Sequence, residues 1–331
     1  MSVVVVAEVG VNHDGEIDRA LQLIDAAADA GADMVKFQSF RAELLAAATA
    51  AKAGYQQSLP ARNQLELLHS LELRDADYRL LERHCESRGV EFFSTGFDHS
   101  SIDYLVRLGV RRLKVPSGEI TNLPLLRHIG GKKLPVMLST GMSNLGEVES
   151  AIDALESAGL MRDQITVLQC TTQYPAPLEE VNLRAMPAMG HALSVSFGYS
   201  DHTVGSAVAI AATALGATVI EKHITLNRKL PGPDHGASME PHDFAQMVLG
   251  IRSVEVAMGD GIKKAGTRER LNMPMVRRSL VASRPIREGE AFSPDNLTAK
   301  RPGHGVSPMA WDEFIGRTAR RSYGTDELIE W

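Results

Sequence analysis

Eight short runs rich in Val, Ile and Phe recur along the first 260 or so residues, and an amphipathic stretch follows nearly every one. The runs are "VVVVAEVG" from Val3, "ADMVKFQ" from Ala32, "EFFSTG" from Glu91 and "RRLKVPSGE" from Arg111. They continue as "PVMLSTG" from Pro135, "ITVLQCT" from Ile165, "LSVSFGYSD" from Leu193 and "TVIEKHIT" from Thr218. Between them, "IDRALQLIDAAADAG" and "LGEVESAIDALESAG" carry apolar residues at helical spacing and end on glycine. Such alternation calls for a parallel sheet with helices packed outside it. Eight strands and eight helices in this length match a (β/α)8 (TIM) barrel. An open doubly wound sheet has the same periodicity and stays open as the alternative. No GxGxxG follows the first strand, so a dinucleotide fold has no support.

Two stretches break the alternation. Residues 41–64, "RAELLAAATAAKAGYQQSLPARNQ", form a long insertion after the second strand, in a βα loop of the kind that shapes a barrel's active face. Residues 261–277 are polar and charged and read as a linker. From there short strands and turns take over. The expected domains are therefore a barrel over 1–260, a linker over 261–277 and a small β-rich domain over 278–331.

Charge and cysteine content narrow the class further. The chain has 35 basic and 41 acidic residues, a net charge of −6, which argues against a general nucleic-acid binder. Cys85 and Cys170 are the only cysteines, so a disulfide framework is excluded and a reducing cytoplasm is the expected setting. The opening "MSVVVVAEVG" lacks a basic segment and is interrupted by Glu8, so it reads as a strand rather than a leader. No apolar run approaches the roughly 20 residues of a membrane span.

The carboxyl ends of barrel strands share one face, and the strand ends here are polar. They carry Glu8; Lys36 and Gln38; Ser94 and Thr95; Lys114, Ser117 and Glu119; Ser139 and Thr140; Thr171 and Thr172; Ser200, Asp201 and His202; Glu221 and His223. One buried Lys or Glu is a packing compromise; so many at equivalent positions predict a convergent site. His202 and His223 would top adjacent strands, where both imidazoles can reach one metal ion. Two hydrogen-bonded structural histidines remain the alternative from spacing alone. With no cysteine partner, the pair suits an open catalytic ion better than a closed structural zinc. The loops "PSGE" and "STG", together with Lys36 and Lys114, suit an anionic, phosphate-bearing substrate.

The wording of the chain is more specific still. "AEVGVNHDG", "GADMVKFQSF", "KVPSGEITNLPLL", "LSTGM", "CTTQYPAP", "GYSDHT", "EKHIT", "LPGPDH" and "KRPGHGVSP" occur in this order over essentially its whole length. In this it resembles the bacterial sialic acid (N-acetylneuraminate, or nonulosonic acid) synthase family. The resemblance implies a barrel that condenses phosphoenolpyruvate with an N-acylated mannosamine-type aldose. It also implies a C-terminal antifreeze-like (SAF) domain and a domain-swapped homodimer. Lys36, Lys114, Ser117, Ser139 and Ser200 match family residues that hold phosphoenolpyruvate, with Thr95 and Thr172 nearby. His202 and His223 match the ligands of a divalent ion, usually Mn2+, with Mg2+ or Co2+ as substitutes. Glu8 matches the carboxylate beside the reacting aldehyde. Gln38, Tyr174 and Asp234 match residues near the sugar, with Asp234 a binder of hydroxyls rather than a proton-transfer group. Arg301 matches an arginine that enters the partner subunit's site. The chain departs from the pattern at Gly96, where many relatives carry proline, and Gln173 falls at a variable position.

The implied chemistry uses these residues. Carbon 3 of phosphoenolpyruvate attacks the aldehyde of the open-chain sugar, water adds at carbon 2, and phosphate leaves by C–O cleavage. Glu8 is the expected group to orient or deprotonate that water, against a second role of neutralising the lysines. Two other readings stand beside this one. A sugar-phosphate synthase would need an extra cationic clamp for the sugar's own phosphate, for which only loop residues such as Arg41 or Arg228 offer themselves. A carbohydrate- or ice-binding protein with an inert barrel would have no use for Glu8, Lys114 and the histidine pair. "KAGYQ", "ITNLPLL" and "CTTQYPAP" resemble the branch that contains legionaminate synthases, and two aldoses stay open: N-acetylmannosamine, giving N-acetylneuraminate, and 2,4-diacetamido-2,4,6-trideoxymannose, giving a legionaminate-type acid.

Overall fold

In a computed structural model, which describes residues 2–52 and 60–331, the eight runs become eight parallel strands closed into a barrel. They are β1 Val4–Gly10, β2 Met34–Ser39, β3 Glu91–Gly96 and β4 Leu113–Val115, then β5 Val136–Ser139, β6 Ile165–Gln169, β7 Ser196–Asp201 and β8 Val219–His223. Closure is made by β1 pairing with β8, Glu8 opposite His223. On its other edge β1 sets Glu8 opposite Lys36. Closure settles the choice between barrel and open sheet.

Strand period 2 sorts the side chains. Val5, Ala7, Val35, Phe37, Leu138, Val167 and Ile220 face outward and pack beneath the helices in the main core. Val6, Met34, Phe93, Met137, Leu168 and Val219 form a separate apolar plug inside the barrel. Gly198 on β7 makes room for that plug: a β-carbon there would lie 2.9 Å from Leu168 Cδ2 and 2.4 Å from the Val219 carbonyl. Two residues further along β1, β2, β3, β5 and β8, on the same inner face, come Glu8, Lys36, Thr95, Ser139 and Glu221. The polar layer thus rests directly on the plug.

The helices begin where the sequence offers caps. Asp98, Asn122 and Asn144 accept from Ser101 N, Leu125 N and Glu147 N, closing the first turns of helices His99–Leu108, Leu123–Gly130 and Leu145–Ser157. Between β2 and β3 the alternation predicts one helix, and the described residues there hold three: Ala42–Leu45, Gln64–Leu71 and Asp75–Ser87. The first two belong to the insertion and its border. Ala42, Leu67, Leu68 and Leu71 pack with Val11 and Phe40 in a small core of their own. Most of "KAGYQ" lies outside the described residues.

The chain divides into two compact units, Met1–Gly259 and Asp260–Trp331. In the second, β9 Ser279–Ala282 pairs antiparallel with β10 Leu297–Lys300 over a core that includes Leu280, Ile286, Phe292, Phe314 and Tyr323. The stretch 261–277, expected as a linker, carries a helix, Thr267–Val276, none of whose residues is buried. No helix among the described residues is long and apolar enough to cross a membrane.

Candidate active site at the barrel mouth

Two buried ammonium groups face one carboxylate inside the barrel. Lys114 Nζ donates to both Glu221 oxygens at 3.3 Å and to Ser139 Oγ at 2.7 Å. Lys36 Nζ lies 3.6 Å from Glu221 Oε1 and 2.9 Å from Glu8 Oε2, and it donates to Thr95 Oγ1 at 3.1 Å. Ser200 Oγ donates to Glu221 Oε1 at 3.0 Å, and Gln38 Nε2 to Glu8 Oε1 at 3.3 Å. All four charged groups are at most 4% exposed. Strands β1, β2, β3, β4, β5, β7 and β8 each supply a member, so only the closed barrel assembles the cluster.

Their protonation follows from the surroundings. Burial pushes the Glu8 carboxyl up, Glu221 adds to the push, and Lys36 only partly opposes it, so Glu8 ends near 7. Burial also works on Glu221, but Lys114 and Lys36 outweigh it and hold that carboxyl down at about 2. Burial lowers Lys114, against the pull of Glu221. Lys36 ends above its ordinary value, because Glu221 and Glu8 together overcome its burial. One carboxylate is thereby fixed as a counter-ion, and the other titrates near neutrality.

Beside the lysines lies a cradle of small groups. Gly141 N donates to Ser117 Oγ at 3.0 Å, and Cys170 Sγ is 3.2 Å from the same hydroxyl. A β-carbon on Gly141 would lie 2.2 Å from Thr172 Oγ1 and 2.9 Å from Ser117 Oγ, so only glycine leaves these hydroxyls room.

The histidines stand above this layer. Their rings are 5.5 Å apart, edge to face, and Tyr174 packs on both, 4.1 Å from His202 and 5.8 Å from His223. His202 Nδ1 donates to the Thr171 carbonyl at 2.7 Å, which leaves Nε2 as the lone-pair nitrogen. His223 Nδ1 is buried without a hydrogen-bond partner and lies 3.9 Å from Asp234 Oδ2. Burial lowers both imidazoles below their ordinary value, His223 furthest, and so keeps them in the neutral form a metal requires. Burial raises Asp234 to about 6. Among the described residues, one group of three His, Asp or Glu brings its ligand atoms within 4.8 Å of one another: Glu43, His69 and Glu72, at the border of the insertion. Glu72 there is already engaged by Arg41 and by Ala42 N.

The barrel mouth thus gathers Glu8, Lys36, Gln38, Thr95, Lys114, Ser117, Ser139, Thr172, Tyr174, Ser200, His202, His223 and Asp234. Arg301 lies in the second unit, where its Nε donates to the Val276 carbonyl at 2.9 Å. Of the two departures, Gly96 is tightly placed, a β-carbon there falling 2.7 Å from Ile102 Cγ1. Gln173 is exposed. Glu221 is expected among the polar strand ends but given no role there, and the structure makes it the shared partner of Lys36, Lys114 and Ser200. It sits two positions before His223 in "EKH", and strand period alone puts it on the same inner face.

The NeuB family matches residues 23–263, and the SAF domain matches residues 277–331. The chain is 49% identical over 327 residues to the N,N'-diacetyllegionaminic acid synthase of Campylobacter jejuni, covering 98% of each. It is 42% identical over 335 residues to the N,N'-diacetyllegionaminic acid synthase of Legionella pneumophila, covering 100% of this chain and 94% of the other. Among solved structures it resembles the N-acetylneuraminic acid synthetase of Leptospira borgpetersenii in complex with citrate. The TM-score is 0.73 at 30% identity, over 82% of this chain and 90% of that one.

Proposed function

The chain belongs to the NeuB family and is a phosphoenolpyruvate-dependent synthase of a nonulosonic acid; we propose that its aldose is 2,4-diacetamido-2,4,6-trideoxymannose and its product a legionaminate-type acid. The observation that carries the phosphoenolpyruvate half is the pair of buried lysines about Glu221, ringed by the hydroxyls of Thr95, Ser139 and Ser200. Two ammonium groups so far from water gain most from an anion bearing both carboxylate and phosphate. The choice of aldose rests on the two N,N'-diacetyllegionaminic acid synthases, 49% and 42% identical to this chain over nearly its whole length.

In this reading Lys36 and Lys114 bind the anionic groups, and Ser139, Ser200, Ser117 and Thr172 orient them. The C2–C3 π pair of phosphoenolpyruvate forms the new bond from carbon 3 to the aldehyde carbon, the carbonyl pair moves to the aldehyde oxygen, and that oxygen takes a proton from solvent to become a hydroxyl. Positive character develops at carbon 2. Water adds there and gives its proton to Glu8, whose carboxyl titrates near 7. The adduct then breaks the C2–O bond to phosphate while the C2 hydroxyl forms the carbonyl, its proton leaving with the phosphate, and a 2-keto acid remains. Asp234, Gln38 and Tyr174 hold the sugar. His202 and His223 fit a divalent ion: His202 donates through Nδ1 and so keeps its lone pair on Nε2, and His223 Nδ1 is buried without a hydrogen-bond partner. Mn2+ held there supplies a Lewis acid for the aldehyde oxygen.

The test is turnover with either aldose. Purified protein, phosphoenolpyruvate and Mn2+ release phosphate stoichiometrically with the diacetamido sugar, and a product appears at the mass of sugar plus phosphoenolpyruvate plus water minus phosphoric acid. A higher kcat/KM with N-acetylmannosamine refutes the proposed aldose. Arg301 is proposed to complete the site of a partner subunit, as its match in the family does. Mixed Arg301→Ala and His223→Ala subunits then regain activity that neither homodimer has; heterodimers no more active than their parents sink that role.

A further inference from the structure

A cavity of about 420 Å3 opens at the barrel mouth, within the roughly 300–1,000 Å3 typical of small-molecule sites. Part of its lining is the proposed reacting end: Gln38, Tyr174, His223 and Asp234. The rest comes largely from the insertion after β2 and the helix that follows it, with Leu45, Ala47, Ala50, Leu67, Leu68 and Leu71. On that wall the one polar side chain among the described residues is Gln64. Its Oε1 is buried and has no hydrogen-bond partner. The first turn of its helix does not need it, because Asn63 already accepts from Glu66 N. A buried acceptor left unmade in an otherwise apolar wall is destabilising unless a ligand satisfies it.

Given the proposed reading, in which the aldehyde lies at His202 and His223, carbons 4 to 6 of the open chain extend into the rest of this cavity. An apolar wall with one amide suits neither a free 6-hydroxyl nor a second phosphate. It suits a methyl at carbon 6 and a secondary amide at carbon 4. We propose that Gln64 is a specificity-determining residue for the aldose: its amide pairs with the 4-acetamido group, whose N–H finds the unpaired Oε1, while the leucine and alanine wall covers the acetyl methyl and carbon 6. A 4-hydroxyl can donate to Oε1 but has no carbonyl to accept from Nε2, so it makes only half of the amide pair and Gln64 contributes less to a sugar that carries it.

The test compares three aldoses: 2,4-diacetamido-2,4,6-trideoxymannose, 2-acetamido-2,6-dideoxymannose and N-acetylmannosamine. The Gln64→Leu variant keeps the bulk and removes the amide. Its kcat/KM for the diacetamido sugar falls by about tenfold or more, and for 2-acetamido-2,6-dideoxymannose by less than about threefold. The KM for phosphoenolpyruvate stays put, which also reports that the barrel is folded. Should Gln64→Leu fail to fold, Gln64→Met carries the same expectation. Equal losses on both 6-deoxy sugars, or no loss on either, overturn the inference. Wild-type preference separates this failure from that of the underlying reading. A wild type that favours N-acetylmannosamine refutes the proposed aldose, and this inference with it. A wild type that favours the diacetamido sugar, with the ratio unchanged in the variants, refutes the role of Gln64 alone.

Discussion

At Glu8 burial and charge pull in opposite directions. The carboxylate has an ammonium 2.9 Å away, yet burial wins and the group titrates near 7 rather than near 4.5. A base acts in its ionised form, so the ionised fraction, and with it kcat, rises as pH increases through about 7. Glu8→Gln keeps the shape and the contact with Gln38 but cannot take the proton. Its kcat is expected to fall by roughly 10²- to 10⁴-fold with the pH dependence flattened and the KM for phosphoenolpyruvate little changed. An unchanged pH profile in that variant would assign the titration to another group. A loss confined to phosphoenolpyruvate binding would reduce Glu8 to a neutraliser of Lys36. Glu221, its neighbour across the lysines, has the opposite balance and stays ionised at any working pH.

Strands β7 and β8 show how one element serves site and scaffold at once. Their inner faces carry Ser200 and Glu221. Their outer faces carry Asp201 and Lys222, paired at 2.8 Å and 1% exposed each. Asp201 also accepts from Thr203 N and Oγ1, and Lys222 donates to the Thr203 carbonyl, so the pair fastens the loop that follows His202. Lys222→Met leaves a buried carboxylate without its cation and is expected to lower stability by about 3–5 kcal/mol in urea unfolding. Adding Asp201→Asn should recover most of that; a double variant as unstable as the single one would show that Lys222 matters for packing rather than charge. At this scale much was legible beforehand. Eight β-branched runs with polar ends marked the strands, and the shared face of barrel strand ends grouped Glu8, Lys36 and Thr95. What the sequence hides is which strand ends meet across the barrel. Nothing local in "RRLKVPSGE" or "TVIEKHIT" says that Lys114 reaches Glu221, which lies 107 residues away along the chain. The helix Thr267–Val276 escaped notice because it buries no face and so has no apolar stripe to read. Gln64 was lost at the edge of an Ala-rich insertion, where neither periodicity nor charge singled it out.

Over the whole molecule, the closed barrel is the device that turns dispersed residues into a site. It gathers two ammoniums and a fixed counter-ion on an apolar plug, sets a titrating carboxylate beside them, and adds a histidine pair and a substrate-sized cavity at the mouth. An inert carbohydrate-binding barrel has no use for so much buried charge. The second unit has its own core. The central claim is that a carbon–carbon bond forms first and that phosphate then leaves from carbon 2 after water has added there. Turnover in ¹⁸O-labelled water, with the masses of both products recorded, tests it most directly. The account predicts that phosphate release depends on the aldose, that the phosphate contains no solvent oxygen, and that the new acid acquires one. Solvent oxygen in the phosphate, or phosphate released without an aldose, would contradict it.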